Sequence, residues 1–277
     1  MYYWGWIILL LIVLIIVVSY NGRVCTTERF TTAPRTINAA CLYAAHDIDE
    51  HDVTFILKYA KDIPFFIVNN GKLSDDGEKL KNKRNIHIIE RPNKGYDAGA
   101  WKFGMNHHNL SKYDLIIFMN NSCIIGADLL RLCEHAIDYD LYSYGFSYEL
   151  YRKPYDNPHL HAYMFFVNKR LYDTPQFKEF WNKTNETHCD HDCSVQNIEF
   201  QLKPYFEGHH FKVGAYTFFD VEDTYKYKLN DMFCPELLKK REARAYPEKI
   251  HDHLTGIGRN MEHKYIPKTD KSKQTKK

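Results

Sequence analysis

Arg91-Pro-Asn-Lys-Gly-Tyr-Asp-Ala-Gly-Ala-Trp101 packs a strand end, a glycine turn and a helix start into eleven residues. Residues 85–90 (NIHIIE) before it read as a β-strand, and residues 98–105 after it open with helical spacing. Gly95 permits a positive φ or a close backbone approach. Asp97 is placed to cap the helix, and the free amides there can receive an anion such as a pyrophosphate. The same residues also make an ordinary β–α turn with an Asp N-cap. In either case, a strand that turns through glycine into a helix is the building unit of an α/β fold.

Similar units lie on both sides. Residues 37–44 (INAACLYA), 64–68 (PFFIV) and 115–119 (LIIFM) are short apolar runs suited to buried strands. Residues 49–62 carry Val53, Ile56, Leu57 and Ala60 at helical spacing, and a charged helix is expected at 75–83. Strands alternating with helices predict a mostly parallel, Rossmann-like sheet with right-handed crossovers, which binds ligands beyond its carboxyl ends. Polar clusters stand at three of those ends: Asn69-Asn70, residues 93–97, and Asn120-Asn121-Ser122. Farther on, 141–150, 160–167 and 212–219 read as strands, and 174–181 and 194–203 as helices. Val195, Ile198 and Leu202 share a face of the last, with Pro204 and Gly208 just beyond its end.

Composition bounds the function. Aromatics make up 15% and charged residues 26% of 277, with a formal net charge of +2. That describes a folded body and excludes a nucleic-acid binder relying on a broad basic face. Residues 2–18 are uncharged and rise about 25 Å as a helix, enough for a membrane anchor with Tyr2, Tyr3, Trp4 and Trp6 at the interface. No basic n-region or clean cleavage site supports a signal peptide. The expected organisation is an anchor at 1–20, a polar stem at 21–36, a catalytic domain at 37–235 and an extension at 236–277 with a basic, disordered tail. Sidedness stays open. Arg23, Arg29 and Arg35 after the span favour a cytosolic body, whereas sequons at Asn109, Asn120, Asn182 and Asn185 are usable only in a secretory lumen. Seven irregularly spaced cysteines do not form a disulfide framework.

Asn93, Gly95 and Asp97 after the third strand, and Asn120, Asn121, Ser122 and Gly126 after the fourth, form an ordered pair of motifs. Downstream stand His159-Leu-His-Ala-Tyr-Met-Phe-Phe, Pro175-Gln-Phe-Lys-Glu-Phe-Trp, and Glu199 nine residues before Gly208. Together, over about residues 37–220, they resemble the rhamnan-synthesis protein F type of glycosyltransferase-like family, which shares the GT-A plan.

The resemblance implies transfer of a hexosyl or deoxyhexosyl group, with inversion, from a nucleoside-diphosphate sugar to a hydroxyl of a glycan, polysaccharide or glycoprotein. Asn93, Gly95, Asp97, Asn120, Asn121 and Ser122 would face the donor. An inverting enzyme needs one general base, for which Glu199 is the first choice and Asp192 the second; Glu199 also reads as a solvent-facing carboxylate on an amphipathic helix. His159 and His161 alternate along a strand, so both face one side, lining either the acceptor pocket or the core. Nucleotide-sugar transferases present an Asp-x-Asp metal site where this chain has Asn120-Asn121-Ser122. With Asp97 and Asn121 as the remaining ligands, Mn²⁺ or Mg²⁺ is expected to be only weakly required. His188-Cys-Asp-His-Asp-Cys193 can hold zinc, form a local disulfide through Cys189 and Cys193, or be an ordinary loop. The alternative function is a non-catalytic sugar- or nucleotide-binding protein on the same fold. A third reading, a His/Cys-rich metal-dependent hydrolase, would need a ligand spacing such as H-E-x-x-H, which is absent.

Overall fold

The computed structural model describes residues 37–125, 128–138, 141–149, 159–183, 195–219 and 237–239. The apolar runs form the strands expected of them: β1 Ala39–Ala45, β2 Phe65–Asn70, β3 Ile86–Arg91 and β4 Leu115–Asn120. They lie side by side in the order β3-β2-β1-β4, all parallel, with Cys41 opposite both Phe65 and Ile117. Every residue of β1, β2 and β4 is buried, which is why these segments read as unbroken hydrophobic runs.

Strand periodicity divides the core into two layers. Ala39, Cys41, Tyr43 and Ala45 face one layer, where helix α1 (Glu50–Tyr59) packs Val53, Ile56 and Tyr59. Ala40, Leu42 and Ala44 face the other, where α3 (Tyr96–His107) packs Ala98, Ala100 and Trp101. Trp101 donates its indole N–H to the Met119 carbonyl at 3.1 Å, pinning α3 to the end of β4. α1 begins with a capping box between Asp49 and Asp52. Asp52 also accepts the Tyr43 hydroxyl at 2.6 Å, and burial followed by that carboxylate pushes the Tyr43 phenol well above its ordinary range.

Several expectations need correction. The charged helix expected at 75–83 is one turn only, α2 (Asp75–Glu78), because Asn82 and Asn85 adopt positive φ and stop its continuation. The sheet is mixed rather than mostly parallel beyond β4. β6 (Ser143–Glu149), β7 (His159–Leu160) and β8 (Met164–Asn168) join it in antiparallel pairs, and β9 (Val213–Phe219) runs parallel to β6. The run at 160–167 breaks at residues 161–163, leaving the terminal residues of β7 in a separate short strand.

Helix α5 (Lys169–Tyr172) follows β8, and α6 (Pro175–Lys183) brings Phe177, Phe180 and Trp181 onto the α3 side. The helix expected to stop before Pro204 starts as a π turn at Val195–Glu199 and continues as α7 (Phe200–Gly208), with Pro204 inside it. Two elements exceed the sequence expectations. One is α4 (Leu129–Asp138), covering the α1 side with Leu129, Leu132, Cys133 and Ala136. The other is a ribbon of β5 (Cys123–Ile125) with β10 (Leu237–Lys239), which lies past the boundary expected at 235. The result is a mixed α/β, Rossmann-like sheet of eight strands flanked by helices. Among the described residues no helix is long and apolar enough to cross a membrane, and residues 2–18 lie outside them.

Candidate functional site

Because β1 to β4 are parallel, their carboxyl ends share one edge, and the polar clusters of the sequence meet there. Asn70 donates to the Tyr96 carbonyl at 3.1 Å, tying β2 to the turn before α3. Arg91, nearly buried, donates to the carbonyls of Pro92 and Lys94 and lies over the Phe103 ring. It is a clamp on the turn rather than a cation offered to a ligand. Asn93 and Lys94 are exposed on that turn. Gly95 is buried with φ 72°, and Tyr96, 40% exposed, follows at φ 50°. Gly99 lets the turn close: a Cβ there would collide with the Lys94 carbonyl oxygen.

Gly95, not Asp97, holds the N-cap position of α3, which has no side-chain cap. Asp97 falls one residue into the helix, and its carboxylate crosses to β4, accepting from the Asn120 amide at 2.7 Å. The Asn120 carbonyl oxygen in turn accepts the Ser122 N–H and hydroxyl at 3.0 and 2.6 Å. Two motifs 23 residues apart therefore form one hydrogen-bonded unit. Asn121 turns the other way and donates to the Asp47 carbonyl at 2.9 Å, joining the ends of β4 and β1. Asp97 and Asn121 thus have separate hydrogen-bond partners at the same edge. Asp47, exposed just beyond β1, is an acidic residue of this edge that the sequence reading passed over. Its signal was its position, immediately after an apolar run, like the other polar clusters.

A second cluster joins three residues that the sequence had placed separately. His159 opens the two-residue β7, whereas His161 sits in the turn before β8, outside any strand. Strand alternation is therefore not what brings them together, yet their rings lie 5.2 Å apart. Glu199, the last residue of the π turn, accepts the Ala162 N–H at 3.1 Å, and its other oxygen lies 3.9 Å from His159 Nε2. Its side chain is 17% exposed, so it is turned inward rather than toward solvent. π turns recur at functional sites, where the wide turn redirects a side chain. Asp192 and the His188–Cys193 segment lie outside the described residues.

The two clusters adjoin. β8 is antiparallel to β4, so its beginning lies at the end of β4. The Asn120 N–H donates to the Tyr163 carbonyl at 3.0 Å, and the Tyr163 ring stacks on His161 at 5.3 Å. One edge thus offers an anion-receiving turn beside a carboxylate with two imidazoles. For a divalent cation, the strand-end triplet Asn120-Asn121-Ser122 brings oxygen and nitrogen but no negative charge, a poor fit for a hard ion.

A family model described as Rhamnan synthesis protein F matches residues 65–241. No curated protein matches the chain. Among solved structures, the inositol-1-phosphate CTP transferase of T. maritima is similar at TM-score 0.40 and 9% identity, covering 67% of this chain and 88% of that one. A 4-diphosphocytidyl-2C-methyl-D-erythritol synthase from Anaerococcus prevotii gives TM-score 0.39 and 10% identity, over 66% and 90%. The glycosyltransferase GlyE of Streptococcus pneumoniae gives 0.38 and 12%, over 80% of this chain and 52% of that one. These likenesses are loose, and the family match stands on its own.

Proposed function

Since the chain belongs to the rhamnan synthesis protein F family, we propose that it is a glycosyltransferase moving a sugar from a nucleoside-diphosphate donor to a hydroxyl of a glycan, polysaccharide or glycoprotein. The observation that carries this reading is the Asp97–Asn120 hydrogen bond of 2.7 Å, which fuses the glycine turn and the β4 end at the ligand edge. In this reading the turn at Asn93 to Asp97, with Asn120, Asn121 and Ser122, faces the donor. The amides at the start of α3 and the exposed Lys94 receive the diphosphate. His159 and His161 line the acceptor side, and Glu199 takes the hydroxyl proton. The acceptor oxygen then bonds to the anomeric carbon as the bond to the diphosphate breaks, with inversion. Mn²⁺ or Mg²⁺ would assist only weakly, and residues 2–18 would hold the enzyme on a bilayer.

A second reading, a non-catalytic sugar or nucleotide binder, is favoured by one observation: the β4 end carries no carboxylate of its own. A panel of nucleotide sugars separates the two. A transferase releases nucleoside diphosphate from one of them, and calorimetric binding without release from any of them would establish the binder instead.

A further inference from the structure

His159, His161 and Glu199 each present one ligand atom within 4.8 Å of the others. We propose that these three side chains form a binding site for a divalent transition ion of the zinc class, distinct from the strand-end triplet. Two imidazoles select such ions over Mg²⁺ and Ca²⁺, which prefer all-oxygen sets. Two histidines and one glutamate make a three-ligand set with an open position. Ligand atoms around tetrahedral zinc stand about 3.4 Å apart. His159 Nε2 and Glu199 Oε2 are at 3.9 Å and all three ligand atoms lie within 4.8 Å, so an ion would draw them together by side-chain rotation.

The surroundings suit the role. His159 is 0% and His161 5% exposed, which lowers the competition from water. His159 is wedged against the Phe200 ring at 4.6 Å and His161 is stacked on Tyr163, fixing both planes. The Ala162 N–H holds Oε1 of Glu199 and leaves Oε2 turned to the histidines. Partners of this kind orient ligands and raise affinity. One consequence rests on the transferase reading above: an ion on Oε2 withdraws Glu199 from proton transfer, so occupancy inhibits turnover.

The test is titration of metal-free, full-length chain with Zn²⁺ alone, read by calorimetry, metal content and melting temperature. The site predicts one bound ion that raises the melting temperature, with Mg²⁺ leaving no signal. Glu199→Gln, which keeps the side chain's shape, should weaken binding at least about tenfold, and His161→Ala should lower the metal content by one ion. Cys189→Ser with Cys193→Ser should change neither. Melting of each variant without metal checks its fold, and Glu199→Gln decides the matter if His161→Ala does not fold. Zn²⁺ content unchanged in both site variants, or lost in the cysteine variant instead, overturns the proposal. The readout is independent of any donor: Zn²⁺ binding that follows the predicted pattern, in a chain whose metal-free form turns over no donor, keeps the site and sinks the transferase reading.

Discussion

Replacing Asp97 by alanine separates a ligand site from an ordinary turn. The side chain caps nothing, so losing it costs no cap; it strands the Asn120 amide instead. Loss of a hydrogen bond to a charged group corresponds to about 1.5–3 kcal/mol. We expect Asp97→Ala to melt earlier by that amount while remaining folded, and to lose measurable affinity for the nucleotide sugar. Calorimetry beside melting curves checks both, and unchanged affinity in a folded variant would mark the bond as structural only. At this scale the sequence pointed to the polar residues of the edge but not to how they meet. Asp97 and Asn120 stood out as polar groups after apolar strands, whereas their pairing depends on strand order. The cap was misassigned because Gly95 can occupy the left-handed region, which moves the N-cap two residues ahead of Asp97. Glu199 and His159 could not be joined from sequence, since a π turn shifts the phase of every side chain after it.

Elements were legible where burial is two-sided. β1, β2 and β4 are continuous apolar runs and need no partner information to be recognised. α4 was legible in principle, with Leu129, Leu132, Cys133 and Ala136 on one face. The β5–β10 ribbon was not, being three residues per strand paired between segments far apart in the chain. Where α3 ends, His108 lies 4.5 Å from the Phe66 ring, which itself stacks on His87 of β3. Burial, then His87 and His107, lowers the His108 pKa from its ordinary 6.5. The folded state therefore favours neutral His108, and the unfolded chain binds the proton more readily. This contribution is complete above about pH 6.5 and is lost as pH falls through the depressed folded value. Melting temperatures between about pH 7.5 and 5.5 should fall less steeply for His108→Asn than for the parent. Parallel profiles would show that this imidazole carries no acid sensitivity.

At the scale of the whole molecule, the described residues already bury β1, β2 and β4 between two core layers of their own. Removal of residues 1–20 should therefore leave a body that folds and stays in detergent-free solution. A truncated chain found only in membrane fractions or inclusion bodies would contradict the single-anchor expectation. The end of β4 carries amides and a hydroxyl but no carboxylate of its own, which sets the response to chelation. Donor turnover should survive EDTA in part and rise with millimolar Mn²⁺ or Mg²⁺. Complete loss, rescued by micromolar Mn²⁺, would reveal an acidic ligand set that the strand ends do not supply.

The pairing of Leu237 with Ile125 spans 112 residues, and it sets an order of events during synthesis. A ribosome adding about 5–20 residues per second delivers the second strand on the order of ten seconds after the first. Until then, the segment that follows Ser122 has one unsatisfied edge, open to any other extended chain. The ribbon that follows Ser122 is thus finished only once Leu237 has been made, and a transcript cut short before that residue would yield a β5 that never finds its mate.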